Sequence, residues 1–119
     1  MNLFEVLVMK IKNIFFIFCF AFIHFFCVGN NTAPVIESIV ATPDSVAIGE
    51  QVQLVCIASD AEDSDLVYLW ECTLGSLTDS VNNTVNWIAP IRTGYFSVSC
   101  EVSDSDNGTS IETIEIKVF

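Results

Sequence analysis

The side chains in this sequence with the most capacity for chemistry are carboxylates. Asp60, Glu62, Asp63 and Asp65 crowd into one short stretch, and Asp104, Asp106 and Asn107 form a second acidic group. Each group interrupts a run of β-branched and aromatic residues, so each reads as a turn. In a two-sheet sandwich, the turn between the second and third strands and the turn before the last strand lie at the same end. Carboxylates gathered there repel one another unless water or a cation screens them. Oxygen ligands on turns suit calcium, which takes about six to eight of them. Asp60, Glu62, Asp63, Asp65, Asp104 and Asp106 are therefore candidate calcium ligands, and the alternative is a pair of solvated turns. Their spacing matches no EF-hand loop.

Other chemistry has little to work with. The single histidine, His24, falls in the N-terminal apolar segment, so neither a Ser-His-Asp nor a Cys-His centre can be assembled in the rest of the chain. Zinc lacks ligands for the same reason. A carboxylate pair can do acid–base work, yet these acids sit on turns and not in an evident cleft. No catalytic residue and no enzyme activity are expected, and calcium is the one cofactor with any support.

The charge balance narrows the partners. The 119 residues carry a formal net charge of −11. From Asn30 onward fourteen acids face two bases, Arg92 and Lys117. Nucleic acid is excluded as a partner, because its phosphates require Lys and Arg. Docking on anionic lipid through a basic face is excluded on the same ground.

Residues 1–29 read as a signal peptide or membrane-anchor segment. Eight of the ten phenylalanines lie before residue 30. Lys10 and Lys12 make a positive region, and residues 13–28 are apolar apart from Asn13 and His24. Cys27-Val28-Gly29 then sets small side chains before a cleavage point after Gly29. Glu5 fits such a region poorly, and Met9 makes a better start. The apolar run is shorter than the ~18–20 residues of a spanning helix, which favours cleavage over a retained anchor. Lipidation of Cys27 is a third option, although Phe25 and Phe26 are bulky for that pattern. The protein is expected to be exported to the cell envelope, the surface or the medium. It would touch a membrane only through this segment or a lipid on Cys27.

After a polar linker at 30–33, residues 34–119 alternate apolar and polar side chains with the period of two that marks strands. One face carries Val52, Leu54, Cys56 and Ala58; another carries Phe96, Val98, Cys100 and Val102. Tyr68, Trp70 and Cys72 share a face, as do Val85 with Trp87, and Ile114 with Ile116 and Val118. Tyr68, Trp70 and Trp87 are the large core candidates. The first strand, Val35 to Ala41, has no clear phase, as a bulge or a switch between sheets would produce. If Tyr68 and Trp70 point inward, Val67 and Leu69 point out, and so do Val55 and Ile57. Such exposed apolar pairs mark a partner site or are covered by a loop or a neighbouring strand.

Ala33-Pro34-Val35-Ile36, Gly49-Glu50-Gln51-Val52-Gln53-Leu54 and Ala58-Ser59-Asp60 resemble a bacterial immunoglobulin-like domain of the PKD type. So do Leu66-Val67-Tyr68-Leu69-Trp70, Val85-Asn86-Trp87-Ile88-Ala89-Pro90, Gly94-Tyr95-Phe96-Ser97-Val98 and Val102-Ser103-Asp104. The resemblance spans residues 33–119. It departs after Trp70, where Glu71-Cys72-Thr73-Leu74-Gly75 stands in place of the usual Trp-Asp-Phe-Gly-Asp-Gly stretch. The resemblance implies an all-β, antiparallel, two-sheet sandwich of about seven strands. It implies an extracellular module that binds an unidentified protein or glycan, or a structural spacer. The order Cys56, Trp70, Cys100 is similar to that of true immunoglobulin domains, which implies a disulfide between Cys56 and Cys100 with Trp70 packed against it. Closing that loop would stabilise the domain by roughly 4 kcal/mol in the chain-entropy model; the alternative is two buried free thiols. Cys72 is left over, buried beside Trp70 or paired between molecules. A stalk with nothing after Phe119 would be unusual, which tilts the expectation from spacer towards interaction; a piece of a longer chain is the other reading of that ending.

Overall fold

The structure is a computed structural model and describes residues 29–119. The features of the signal segment, among them Met9, His24 and Cys27, lie outside the described residues. A compact unit runs from Asn31 to Phe119. Its eight strands are β1 (Val35–Thr42), β2 (Ser45–Val46), β3 (Gln51–Ser59), β4 (Val67–Cys72), β5 (Ser76–Thr78), β6 (Thr84–Ile88), β7 (Gly94–Ser103) and β8 (Thr109–Val118). They form two four-stranded sheets, in the orders β1-β3-β6-β5 and β2-β8-β7-β4. An all-β two-sheet sandwich is the architecture that the PKD-type resemblance implies.

β2 lies beyond the expected first strand, Val35 to Ala41, and arises where the chain changes sheet. β1 pairs antiparallel with β3, and its register slips at a bulge between Ile36 and Ser38. A bulge opposes two residues to one and reverses the facing of those beyond it. After the cis Thr42–Pro43 bond, the chain crosses to the other sheet, where β2 pairs in parallel with the end of β8. Both irregularities scramble the alternation of residues 35–46. The remaining ladders are antiparallel.

Residues 75–83 contain β5, a short strand that the alternation did not show and that pairs with β6. Glycine is required at its entrance. Gly75 has φ +92, and a Cβ there would lie 2.5 Å from the Ile88 carbonyl and 2.6 Å from the Trp87 indole nitrogen. Any side chain would push β5 off the indole.

The inner faces form a core of Val52, Leu54 and Cys56 from β3, Val98, Cys100 and Val102 from β7, and Ile116 and Val118 from β8, with both tryptophans. Tyr68 packs against it half-buried. Burying an indole leaves a donor that needs a partner. Trp87 Nε1–H donates to the Leu74 carbonyl at 3.0 Å and Trp70 Nε1–H to the Asn82 carbonyl at 2.7 Å. The first half of β8 was harder to read. Ser110 and Glu112 stand opposite Val102 and Cys100 in register, so they share the inward face, and the Ser110 hydroxyl donates to the Pro34 carbonyl.

Leu54 is fully buried and Ile57, on the opposite face of the same strand, is 42% exposed. Leu54→Ala is expected to cost about 2–5 kcal/mol, and Ile57→Ala to stay within about 0.5 kcal/mol of the parent. Denaturant unfolding measures both, and a loss at Ile57 as large as that at Leu54 would reverse this assignment of faces.

Candidate functional site

β3 ends at Ser59 and β7 at Ser103, and Val35 at the start of β1 pairs with Ser59. Both acidic turns and residues 31–34 therefore meet at one end of the sandwich. Asp104 organises this end. It is 6% exposed, and its Oδ1 accepts the backbone N–H groups of Asp106 and Gly108, each at 2.8 Å. Its own N–H donates to the Gly108 carbonyl at 3.0 Å. A short carboxylate reaches the amides that follow it, which is why Asp opens tight turns. The remaining oxygen, Oδ2, accepts the Asn31 side-chain amide at 2.9 Å. Gly108 makes room for this contact: a Cβ there would lie 2.5 Å from Asp104 Oδ2, 2.9 Å from Asn31 Nδ2 and 3.0 Å from Ala33 Cα.

Asp60 does the same in the other turn. Its Oδ1 accepts the N–H groups of Glu62 at 3.0 Å and Ser64 at 3.2 Å, and its carbonyl accepts the Asp63 N–H at 3.2 Å. Glu62 Oε1 accepts the Thr32 N–H at 2.9 Å. Asn31 and Thr32, read from sequence as linker, are thus held to the two turns by one hydrogen bond each, and Pro34 is fully buried. Nothing in the acidic spacing pointed to Asn31 or Gly108 as members of this end.

The two turns share an end as expected, but their carboxylates do not converge. Among the described residues no three Asp, Glu, His or Cys side chains are grouped as a metal ion would require. Glu62, Asp63, Asp65 and Asp106 are exposed. The backbone amides of each turn take lone pairs of its leading carboxylate. The six-carboxylate calcium arrangement is not assembled here. One oxygen stands apart: Asp60 Oδ2 is buried without a hydrogen-bond partner.

The hydrogen bond from Asn31 holds the Asp104 carboxyl below its ordinary value, with the Gly108 and Asp106 amides adding to the effect and burial opposing it.

Cys56 and Cys100 come from opposite sheets and meet in the core, 2% and 0% exposed. Both are free thiols in this structure, and the Cys100 thiol donates to the Glu101 carbonyl at 3.9 Å. Burial pushes Cys100 up to about 12, with the neighbouring Cys56 adding to it, and burial likewise raises Cys56. A thiol that resists ionisation is a poor nucleophile, so this pair is inert while the sandwich is closed. Cys72 is half-buried, raised by burial, and faces the Gly75 carbonyl at 3.8 Å.

The outer faces are less polar than the turns. On β4-β7-β8 the register puts Leu69, Glu101 and Ile111 on one rung and Glu71, Ser99 and Thr113 on the next rung of the same face. Val67, Leu69 and Ile111 are 61%, 46% and 64% exposed. On the other sheet Val40 and Ile57 are exposed around half-buried Val55. The outward pairs read from the sequence are therefore present. Ile111 was not among the outward residues read from the sequence, although the phase set by Ile114, Ile116 and Val118 places it on the outward face.

No known family and no curated protein matches the sequence. Solved structures do match. The PKD1 domain of Vibrio anguillarum Epp superposes with a TM-score of 0.58 at 26% identity, over 75% of this chain and 96% of that one. The PKD domain of an M14-like peptidase from a Thermoplasmatales archaeon gives 0.61 at 19% identity, over 75% and 98%. The described residues have the PKD-type immunoglobulin-like fold. A nucleoside hydrolase-related protein of Saccharophagus degradans, associated with carbohydrate metabolism, gives 0.63 at 20% identity over 75% of this chain, which spans 26% of that one. In this PKD-type sandwich the departure after Trp70 has a visible form. Glu71 and Cys72 complete β4, and Thr73 to Gly75 turn sharply into β5 under the Trp87 indole.

Because the Asp104 carboxyl is held below its ordinary value of 3.8 in the folded state, the unfolded chain binds more protons in that range, and stability falls as pH drops through it. The melting temperature is expected to decline from about pH 4 downward, and Asp104→Asn to lower it at neutral pH while flattening the acid decline. Melts in excess calcium and in chelator are expected to coincide. A calcium-dependent rise that Asp104→Asn abolishes would establish the metal site instead.

Proposed function

We propose that the protein is exported and that its PKD-type domain is a non-catalytic interaction module that binds another protein at the cell envelope or surface. The observation that carries this reading is the outward face of β4-β7-β8, where Val67, Leu69 and Ile111 stand exposed beside carboxylates. Apolar side chains of that size on a solvated face favour a partner. A protein suits the apolar end of this face better than a glycan, since glycan binding leans on exposed aromatic rings, both tryptophans are buried, and the exposed Tyr95 stands opposite Lys117 at the far end of β7 from Leu69 and Ile111.

Export rests on Lys10, Lys12 and the apolar run up to Gly29. In the oxidising compartment that export implies, the Cys56 and Cys100 thiols, both buried in the core between the two sheets, are oxidised to a disulfide, and Cys72 stays reduced. Cleavage after Gly29 is favoured over lipidation of Cys27. Two of the structural neighbours support a modular role, being PKD domains, one of them of a peptidase. The hydrolase-related activity named for the third belongs to a protein of which this chain spans 26%.

A spacer is the second reading, and one observation favours it. The hydrogen bonds of Asn31 and Thr32 to Asp104 and Glu62 fix how the chain enters the sandwich, as a stiff joint would.

Photo-crosslinking residues placed at Leu69 and at Ile57 in intact cells separate the two readings. An adduct with another protein at either position is expected, and silence at both would leave a spacer. Non-reducing peptide mapping of the exported protein is expected to recover a linked Cys56–Cys100 peptide; if both residues alkylate on denaturation without reductant, the core holds free thiols.

A further inference from the structure

We infer that the outer face of β4-β7-β8 recognises a lysine or arginine side chain of the partner protein, laid over Leu69 and Ile111 with its charged end between Glu71 and Glu101. This rests on the interaction reading above and gives it a place and a chemistry.

A shallow depression of about 50 Å³ on this face is lined by Leu69, Glu71, Ser99, Glu101 and Ile111. That is far below the ~300–1,000 Å³ of sites for whole small molecules, and it leaves room for part of one side chain laid along the surface. The lining has two characters. Leu69 and Ile111 flank Glu101 on a single rung and offer apolar surface to a methylene stem. Glu71 faces Ser99 on the next rung, so Glu71 and Glu101 are diagonal neighbours on adjacent strands, at a typical spacing of roughly 7–8 Å. Side chains that carry a positive head on an apolar stem are lysine and arginine, which bury the stem and leave the head to acceptors. Arginine also places several donors at once and can bridge two carboxylates.

Among the described residues no base fills this role. Arg92 and Lys117 are the two bases from Asn30 onward. Lys117 pairs with Tyr95, six residues along β8 from Ile111, roughly 20 Å at the usual rise of a strand. Arg92 lies before Gly94, at the far end of β7 from Glu101. Two like charges on one face are thus left without a counter-charge, while a hydrogen bond of 2.9 Å between Ser99 and Thr113 fixes the strands beside them. A net charge of −11 draws a basic partner in and repels an anionic membrane, so the missing charge comes from a protein.

The test uses the full chain in zwitterionic detergent and a fluorescein-labelled peptide of valine and threonine with one central arginine. The comparison peptide carries citrulline, which has nearly the same shape and no charge. Anisotropy is expected to show binding of the arginine peptide, weakened at least tenfold by citrulline, by Glu71→Gln with Glu101→Gln, and by Leu69→Ser. Glu37→Gln with Glu50→Gln removes the same charge elsewhere and is expected to leave binding unchanged. These side chains are exposed or half-exposed, and an unchanged melting temperature confirms folding. Equal binding of citrulline, an equal loss in the Glu37/Glu50 variant, or no binding of the arginine peptide each overturns the site. If a Leu69 adduct forms in cells while the peptide fails to bind, the site is wrong and the interaction module stands. Adducts at neither Leu69 nor Ile57 remove both.

Discussion

Two indoles set the terms for this domain. Trp87 and Trp70 each fill the space between the sheets, and each also carries one N–H that burial must not leave alone. Trp87 reaches the Leu74 carbonyl, and Trp70 reaches the Asn82 carbonyl. Those two carbonyls bracket β5. The connection from β4 to β6 is therefore fixed at both ends by the core beneath it, and Gly75 is the residue small enough to let it lie that close. A short edge strand exists here because two buried donors hold its flanks, and its own residues, Ser76 to Thr78, carry little strand signal.

What could be read from the sequence follows the same logic. β3 and β7 were plain because each has one face in the core and one towards water, so apolar and polar residues alternate without interruption. β1 was opaque because a bulge reversed its phase and a crossing moved its continuation into the other sheet. The first half of β8 went unassigned because its inward face turns polar at Ser110 and Glu112, next to the entering chain. Alternation reports burial, and where burial depends on a neighbour distant in sequence the pattern cannot show it.

The acidic end was legible in location and not in use. The positions of Asp60 and Asp104 at the starts of turns were visible, and so was their shared end of the sandwich. Which partners their oxygens would take was not, because backbone amides leave no mark in a sequence. Asp104 became a buried carboxylate with both oxygens engaged, and Asn31, an unremarked polar residue, became one of its partners. The outer face shows the converse. Val67 and Leu69 were visible as outward, whereas Glu71, Glu101 and Ile111 meet them only through the pairing of β4, β7 and β8.

The crossing of the first strand has a mechanical side. β2 runs parallel to the end of β8, and the pair is extended by the Phe119 N–H to the Val46 carbonyl and the Ile48 N–H to the Phe119 carbonyl, each at 3.0 Å. Tension applied between Asn31 and Phe119 draws these two parallel backbones in opposite directions along their length. The hydrogen bonds between them are then loaded together, in shear, instead of opening one after another like a zip. Wherever this domain is pulled along its chain, the few residues that cross between sheets are the ones that take the strain.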